Sequence, residues 1–300
     1  MRTQQRSKIV EGRRSIREER GQTLVLFALA LIAVIGIIAL AVDGGYAYVQ
    51  RRRMQYAADA AALAGARAML TTHSLREVDR AVRRYARRNG ASTYSWSHRG
   101  TSRIQVQVST TFPTFFASVV GLSSMTARAR SEAEASGVSA VRNALPIGIR
   151  VFPFRFNQTY TFYRRHHGFG PGPEFDWLDW NGGSRSVHEL AYYICNPRRS
   201  GLQRIHRWVW NVPGVYPSAY LRYCLNRRLG QVIIVPLYNM TTGHGMMTRH
   251  YIIGFAAFYF EGYRLWGPVS YIRGRFIRRV VSGTGGGPDY GLITVRLGEN

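Results

Sequence analysis

Few residues of the chain have the makings of chemistry, and most of them fall in its second half. Glu174, Asp176 and Asp179 form an acidic cluster. Paired carboxylates serve as acid and base in glycoside hydrolysis, or bind a hard cation. Trp177 and Trp180 lie among them and Gly182-Gly183 comes just after, a context that favours a turn whose acids accept from backbone amides or arginines. His166 and His167 are adjacent, so both rings rarely meet one ion. His244 and His250 stand six apart, outside any helical or Cys-x-x-Cys setting, which argues against zinc. Gly168, Gly170 and Gly172 imitate a phosphate loop, but Pro171 and Pro173 remove amide donors and no Gly-Lys-Ser is present. No Gly-x-Ser-x-Gly nucleophile elbow occurs. The residues offer no constellation that reads as catalytic, so a non-enzymatic protein without cofactor or metal is expected; the competing reading is a membrane-anchored extracellular hydrolase that uses the Glu174, Asp176 and Asp179 region.

Two further sets carry weight of another kind. Cys195 and Cys224 are the two cysteines of the chain. In an oxidising compartment they can pair; otherwise they are small buried hydrophobes. Trp177, Trp180, Trp208, Trp210, Tyr216 and Trp266, with Arg198, Arg199, Arg204 and Arg207, supply the parts of a stacking surface for anionic polymers. The plainer reading, preferred here, makes these aromatics the core of a β-rich domain and the arginines its solvated face.

What must position these residues is a chain of 300 residues with 41 basic and 16 acidic side chains, a net charge of +25. Lys8 is its one lysine. Residues 22–42 carry no charge, and at ~1.5 Å per residue they match the roughly 30 Å of a bilayer core. Arg13, Arg14, Arg17 and Arg20 are among seven basic residues before this run, against Arg51, Arg52, Arg53 and Arg67 after it. The asymmetry puts the N-terminus inside and residues 43–300 outside. Ala39-Leu40-Ala41 would suit a signal peptidase, but the run is long for a signal peptide and the adjoining residues continue as helix, so a retained anchor is expected. With that topology only +4 of the charge lies inside, and intracellular nucleic acid drops out as a partner. The lipid bilayer and anionic cell-wall polymers take its place.

Helix is expected to run on from Tyr46 to Leu70, with small residues at Ala57, Ala60, Ala61, Ala64 and Ala68 admitting a close neighbour, and Gly44-Gly45 offering a kink. A second helix spans 75–89 behind a Ser74-to-Glu77 capping box. Strands are expected at 103–108 and 125–135, on period-two alternation, with a short helix at 113–120 between them. Beyond residue 140 the pattern predicts strands near 145–149, 157–163, 231–238, 251–260, 271–281 and 292–297, and helices at 186–196 and 218–229. The chain thus divides into a basic segment 1–21, a transmembrane helix 22–42, a helix-helix-strand-helix-strand module 43–140, and a mainly antiparallel α+β domain 141–300.

Arg20-Gly21-Gln22-Thr23-Leu24-Val25-Leu26 before the apolar run, Asp43-Gly44-Gly45 at its exit, and Ala57-Ala58-Asp59-Ala60-Ala61-Ala62-Leu63-Ala64-Gly65-Ala66 beyond it resemble the N-terminal segment of TadE/TadG-like proteins of the tight-adherence (Flp) pilus assembly system. Pro113-Thr114-Phe115-Phe116 and Val120-Gly121 are similar to a later part of the same proteins. The resemblance implies a membrane-anchored, outward-facing, non-catalytic component with partners in the pilus machinery. Processed pseudopilins of this system carry glutamate five residues after the scissile glycine. Leu26 stands at that place if Gly21 is the glycine, which sets the chain on the TadG side of the group.

Overall fold

The computed structural model describes residues 19–72, 74–100, 102–164, 172–183, 185–265 and 269–298. Arg13, Arg14, Arg17, His166, His167, Gly168, Gly170, Pro171 and Trp266 lie outside them.

The first helix, α1 (Glu19–Thr72), is one uninterrupted element of 54 residues. At 1.5 Å per residue it is about 80 Å long. Gly44 and Gly45 do not interrupt it, since the hydrogen-bond ladder needs no side chain. Its apolar first part is not buried in the protein: Leu24 is 71% exposed and Leu40 75% exposed. After Thr72 come α2 (Leu75–Arg88), β1 (Thr93–Arg99), β2 (Arg103–Pro113) and β3 (Ser124–Gly137). The expected capping box at α2 does not form. The Ser74 side chain makes no cap bond, and Glu77 pairs with Arg80 at 2.7 Å instead. Only a 3-10 turn, Ala117–Val120, replaces the helix expected at 113–120, because the β2–β3 ladder runs on to Pro113 opposite Ser124. Strand β1 was not anticipated, although Tyr94 and Trp96 alternate along it.

The remaining strands and α-helices among the described residues are β4 (Ala140–Arg142), β5 (Ile147–Arg150), β6 (Thr159–Arg164), β7 (Glu174–Asp179), α3 (Val187–Cys195), β8 (Leu202–Arg204), β9 (Arg207–Asn211), α4 (Ala219–Asn226), β10 (Val232–Thr242), β11 (Arg249–Arg264), β12 (Tyr271–Ile277), β13 (Arg279–Val280) and β14 (Leu292–Leu297). The class is α+β, as expected. One sheet has the order β1-β2-β3-β14-β13; a second has β10-β5-β7-β6-β12-β11-β9. Additional pairings of β10 with β11 and of β7 with β9 close the second sheet on itself. Strand β14 was expected only to end the C-terminal domain. It pairs antiparallel with β3, Val295 facing Ala135, and so completes the first sheet.

The two sheets bury different materials. In the first, Ala57, Ala58, Ala61, Ala62 and Ala66 of α1 pack on Val78 and Val82 of α2 and on Ile104, Val106 and Ile293 of the sheet. The small face of the helix is therefore spent within the chain. A Cβ on Gly65 would come within 2.6 Å of Ile104 Cδ1 and 2.8 Å of Val82 Cγ2, so only glycine lets α1 lie this close. In the second, Phe162, Phe175, Trp177, Phe258, Phe260 and Phe276 are buried with Leu190, Ile194, Leu221 and Leu225 of α3 and α4.

Candidate functional site

Three places bring polar groups together. At the C-terminal end of the apolar run, Asp43 is buried although it is an acid directly beside that run. Its carboxylate accepts from the backbone amides of Phe115 at 2.8 Å, Phe116 at 3.0 Å and Ala117 at 2.7 Å. Burial pushes the Asp43 carboxyl up, but the three amides together outweigh this and hold it below its ordinary value. Tyr46, one turn on, sets its ring edge-on to Phe112 and Phe115, both at 5.3 Å between centroids. The acid thus ties the β2–β3 hairpin tip to the anchor helix.

The second place is β7. Glu174–Asp179 is a strand and not the expected turn, because both of its faces are buried in apolar surroundings and this hides the alternation. Period-two geometry sets Glu174 and Asp176 on one face and Asp179 on the other. Glu174 pairs with Arg150 at 3.1 Å. Asp176 accepts from the Trp177 amide and faces His250 Nε2 at 3.1 Å and Arg164 Nε at 3.8 Å, all three side chains buried. His250 Nδ1 lies 2.9 Å from Thr241 Oγ1. Asp179 points to the other face, where it accepts from the Asn181 amide. Burial, then the nearby Glu189 charge, push the Asp179 carboxyl up against the pull of the Asn181 and Gly182 amides and Arg185. The three acids do not converge on one site. Among the described residues no group of three His, Cys, Asp or Glu side chains is placed to hold a metal ion. Trp177 and Trp180 are core, the latter donating to Ala144 O at 3.2 Å. Trp208 is exposed and Trp210 half-buried. The Arg249 guanidinium lies 5.4 and 5.5 Å from their ring centroids, and Arg185 lies 4.2 Å from that of Trp210.

The third place is a cleft of about 1080 Å³ between the β4 region, the end of α3 and β13. Arg142, Arg198, Arg199, Arg228 and Arg279 line it, and among the described residues no carboxylate does. Arg228 forms part of its wall, donating to Ile194 O at 2.9 Å and Cys195 O at 2.8 Å, the free carbonyls at the end of α3. The other four arginines are exposed and make no side-chain hydrogen bond or ion pair among the described residues. Cys195 and Cys224 are joined in a disulfide that fixes α3 to α4 beside this cleft. The sequence pointed to Arg198, Arg199 and the cysteines but not to Arg142, Arg228 and Arg279, since with arginine this frequent only the fold shows which ones converge. Asp43 was also missed; its signal was an acid directly after an uncharged run.

An apolar helix able to cross a bilayer, unburied within the chain and continuous with a folded α+β domain, points to a single-pass membrane-anchored protein. Residues 21–68 match a family model described as Putative Flp pilus-assembly TadE/G-like, a span that takes in the apolar run, Asp43 and the alanine face of α1. No curated protein and no solved structure matches the chain.

Proposed function

We propose that the chain is an outward-facing, non-catalytic component of tight-adherence pilus assembly or of cell-surface adherence, with its N-terminus in the cytoplasm and residues 43–300 outside. The observation that carries this reading is the family match over residues 21–68. The basic excess before the apolar run supports the orientation, and so does the Cys195–Cys224 disulfide, a bond of oxidising compartments. The mechanism is mechanical: α1 holds the domain at the membrane, the Asp43 tie sets its first sheet against the anchor, and the second sheet faces outward to the pilus machinery. Deletion of the gene in its own cell is expected to abolish piliation or adherence, with recovery on complementation. Unchanged piliation and adherence in the deletion strain would overturn it.

The arginine cleft favours a second reading, in which the outward domain holds an anionic cell-wall polymer. Guanidinium forks suit phosphate and carboxylate groups, and a concave wall of one sign concentrates the field. Replacing Arg142, Arg198, Arg199 and Arg279 by Gln is then expected to weaken binding of the full chain to wall polymer and to flatten its salt dependence. Equal binding by both proteins removes this reading.

A further inference from the structure

The hairpin tip tied to Asp43 is an odd surface for so charged a protein. Residues 104–127 carry no charged side chain. At the tip, Val119 is 86% exposed and Val120 83% exposed, and Phe115, Phe116 and Leu122 are exposed beside them. Apolar side chains gathered on a surface mark a place of contact, and here the fold says what they face. The β2–β3 hairpin descends along α1 toward the apolar run. Ile104 meets α1 at Gly65; the carbonyl of Arg130 meets Gln55 at 3.5 Å; Phe112 meets Tyr46; and the amides of 115–117 meet Asp43, the first residue beyond the uncharged run. The exposed tip is thereby held level with the point where α1 leaves the bilayer.

We infer that residues 115–122 are a second membrane contact, a loop that enters the headgroup and upper acyl region of the bilayer beside α1. The partner is the lipid surface itself. Valine, leucine and phenylalanine supply the insertion, while the Asp43 carboxylate and the amides of 115–117 satisfy one another's hydrogen bonds where water is scarce. Two attachments instead of one fix the tilt of the domain on the membrane, which a lone helix leaves free.

This inference rests on α1 being the anchor, and the test separates the two. Single cysteines are introduced at Val34, Val119, Val120 and Met246 in the full chain, where both native cysteines are bonded, spin-labelled, and read in phosphatidylglycerol-containing bilayers by collision with oxygen against a water-soluble nickel chelate. Labels at Val119 and Val120 are expected about 5–10 Å below the phosphates, with Val34 deeper and Met246 in water. Asp43→Ala is expected to return the Val119 label to the aqueous value while Val34 stays deep. An aqueous Val119 and Val120 beside a deep Val34 overturns the inference and leaves the anchor standing. An aqueous Val34 overturns both.

Discussion

The two sheets solve one problem, holding a helix against strands, with opposite materials. The first does it with alanine and one glycine on α1, each burying little area but letting backbones approach. The second does it with phenylalanine and tryptophan rings that meet edge to face, as Phe162 and Phe276 do at 5.8 Å and 82°. A helix that must leave a bilayer and at once lie on a sheet gains from having no bulk to place. A domain with only short helices has to fill its interior from its strands. The first sheet should therefore suffer from added volume and the second from lost volume.

The largest expected effect is in the second sheet. Phe276→Ala should cost about 3–5 kcal/mol, read by urea unfolding of the detergent-solubilised full chain; a loss under about 1 kcal/mol would break the contrast. Next comes the disulfide, which closes a separation of 29 residues. Replacing both Cys195 and Cys224 by Ala should cost roughly 3–4 kcal/mol on the chain-entropy account. In the first sheet Ala61→Leu should cost about 1–3 kcal/mol by overpacking, whereas the same gain in volume at Ala41, on the exposed part of the same helix, should be tolerated. Helix caps give a smaller effect with a sharp internal control. Ser186 accepts from the Glu189 amide at 3.2 Å, so Ser186→Ala should cost about 1 kcal/mol, and uncapped Ser74→Ala only a few tenths.

The smallest effects sharpen the comparison through pH, because each region has a buried acid displaced in the opposite sense. Asp43 is depressed, so its tie is present above the ordinary carboxylate value near ~3.9 and is lost as pH falls through the lower folded value. Exchange of the 115–117 amides, corrected for intrinsic rates, should rise in that acid range. Asp179 is raised, so its contribution is present below the ordinary value and is lost as pH rises through the folded one. Its charged form is a burden, and one buried oxygen has no hydrogen-bond partner among the described residues. Asp179→Asn should leave the melting temperature at pH 7 unchanged or slightly higher, and a clear drop would show that the carboxylate is held by something other than the amides of Asn181 and Gly182.

Much of the first region could be read from the residues, because its signals are local. An uncharged run declares a spanning helix, and Ile104, Val106 and Val108 alternate with polar neighbours on a sheet wet on one side. The second region hides the same information. In β7 both faces are buried, so Phe175, Asp176, Trp177 and Leu178 show no period, and acids that belong to a strand look like a turn. The place of β14 was illegible for a different reason: which strand Leu292–Leu297 joins is decided by pairing at long range, and nothing in its own six residues distinguishes β3 from β11. The site obeyed the same rule. The two cysteines were found from compartment alone, while the arginine cleft and the Asp43 tie required knowing which distant segments meet.

That last strand has a consequence for the order of events during synthesis. Ile293 is part of the alanine core, yet β14 is made roughly 155 residues after β3 ends. At about 5–20 residues per second this is on the order of ten to thirty seconds. Through that interval α1 is already in the bilayer and the edge of β3 is open beside it. The newborn protein at the membrane is then briefly an unfinished sheet, and a strand from a neighbouring copy or a chaperone has that much time to occupy the place before the chain's own strand arrives.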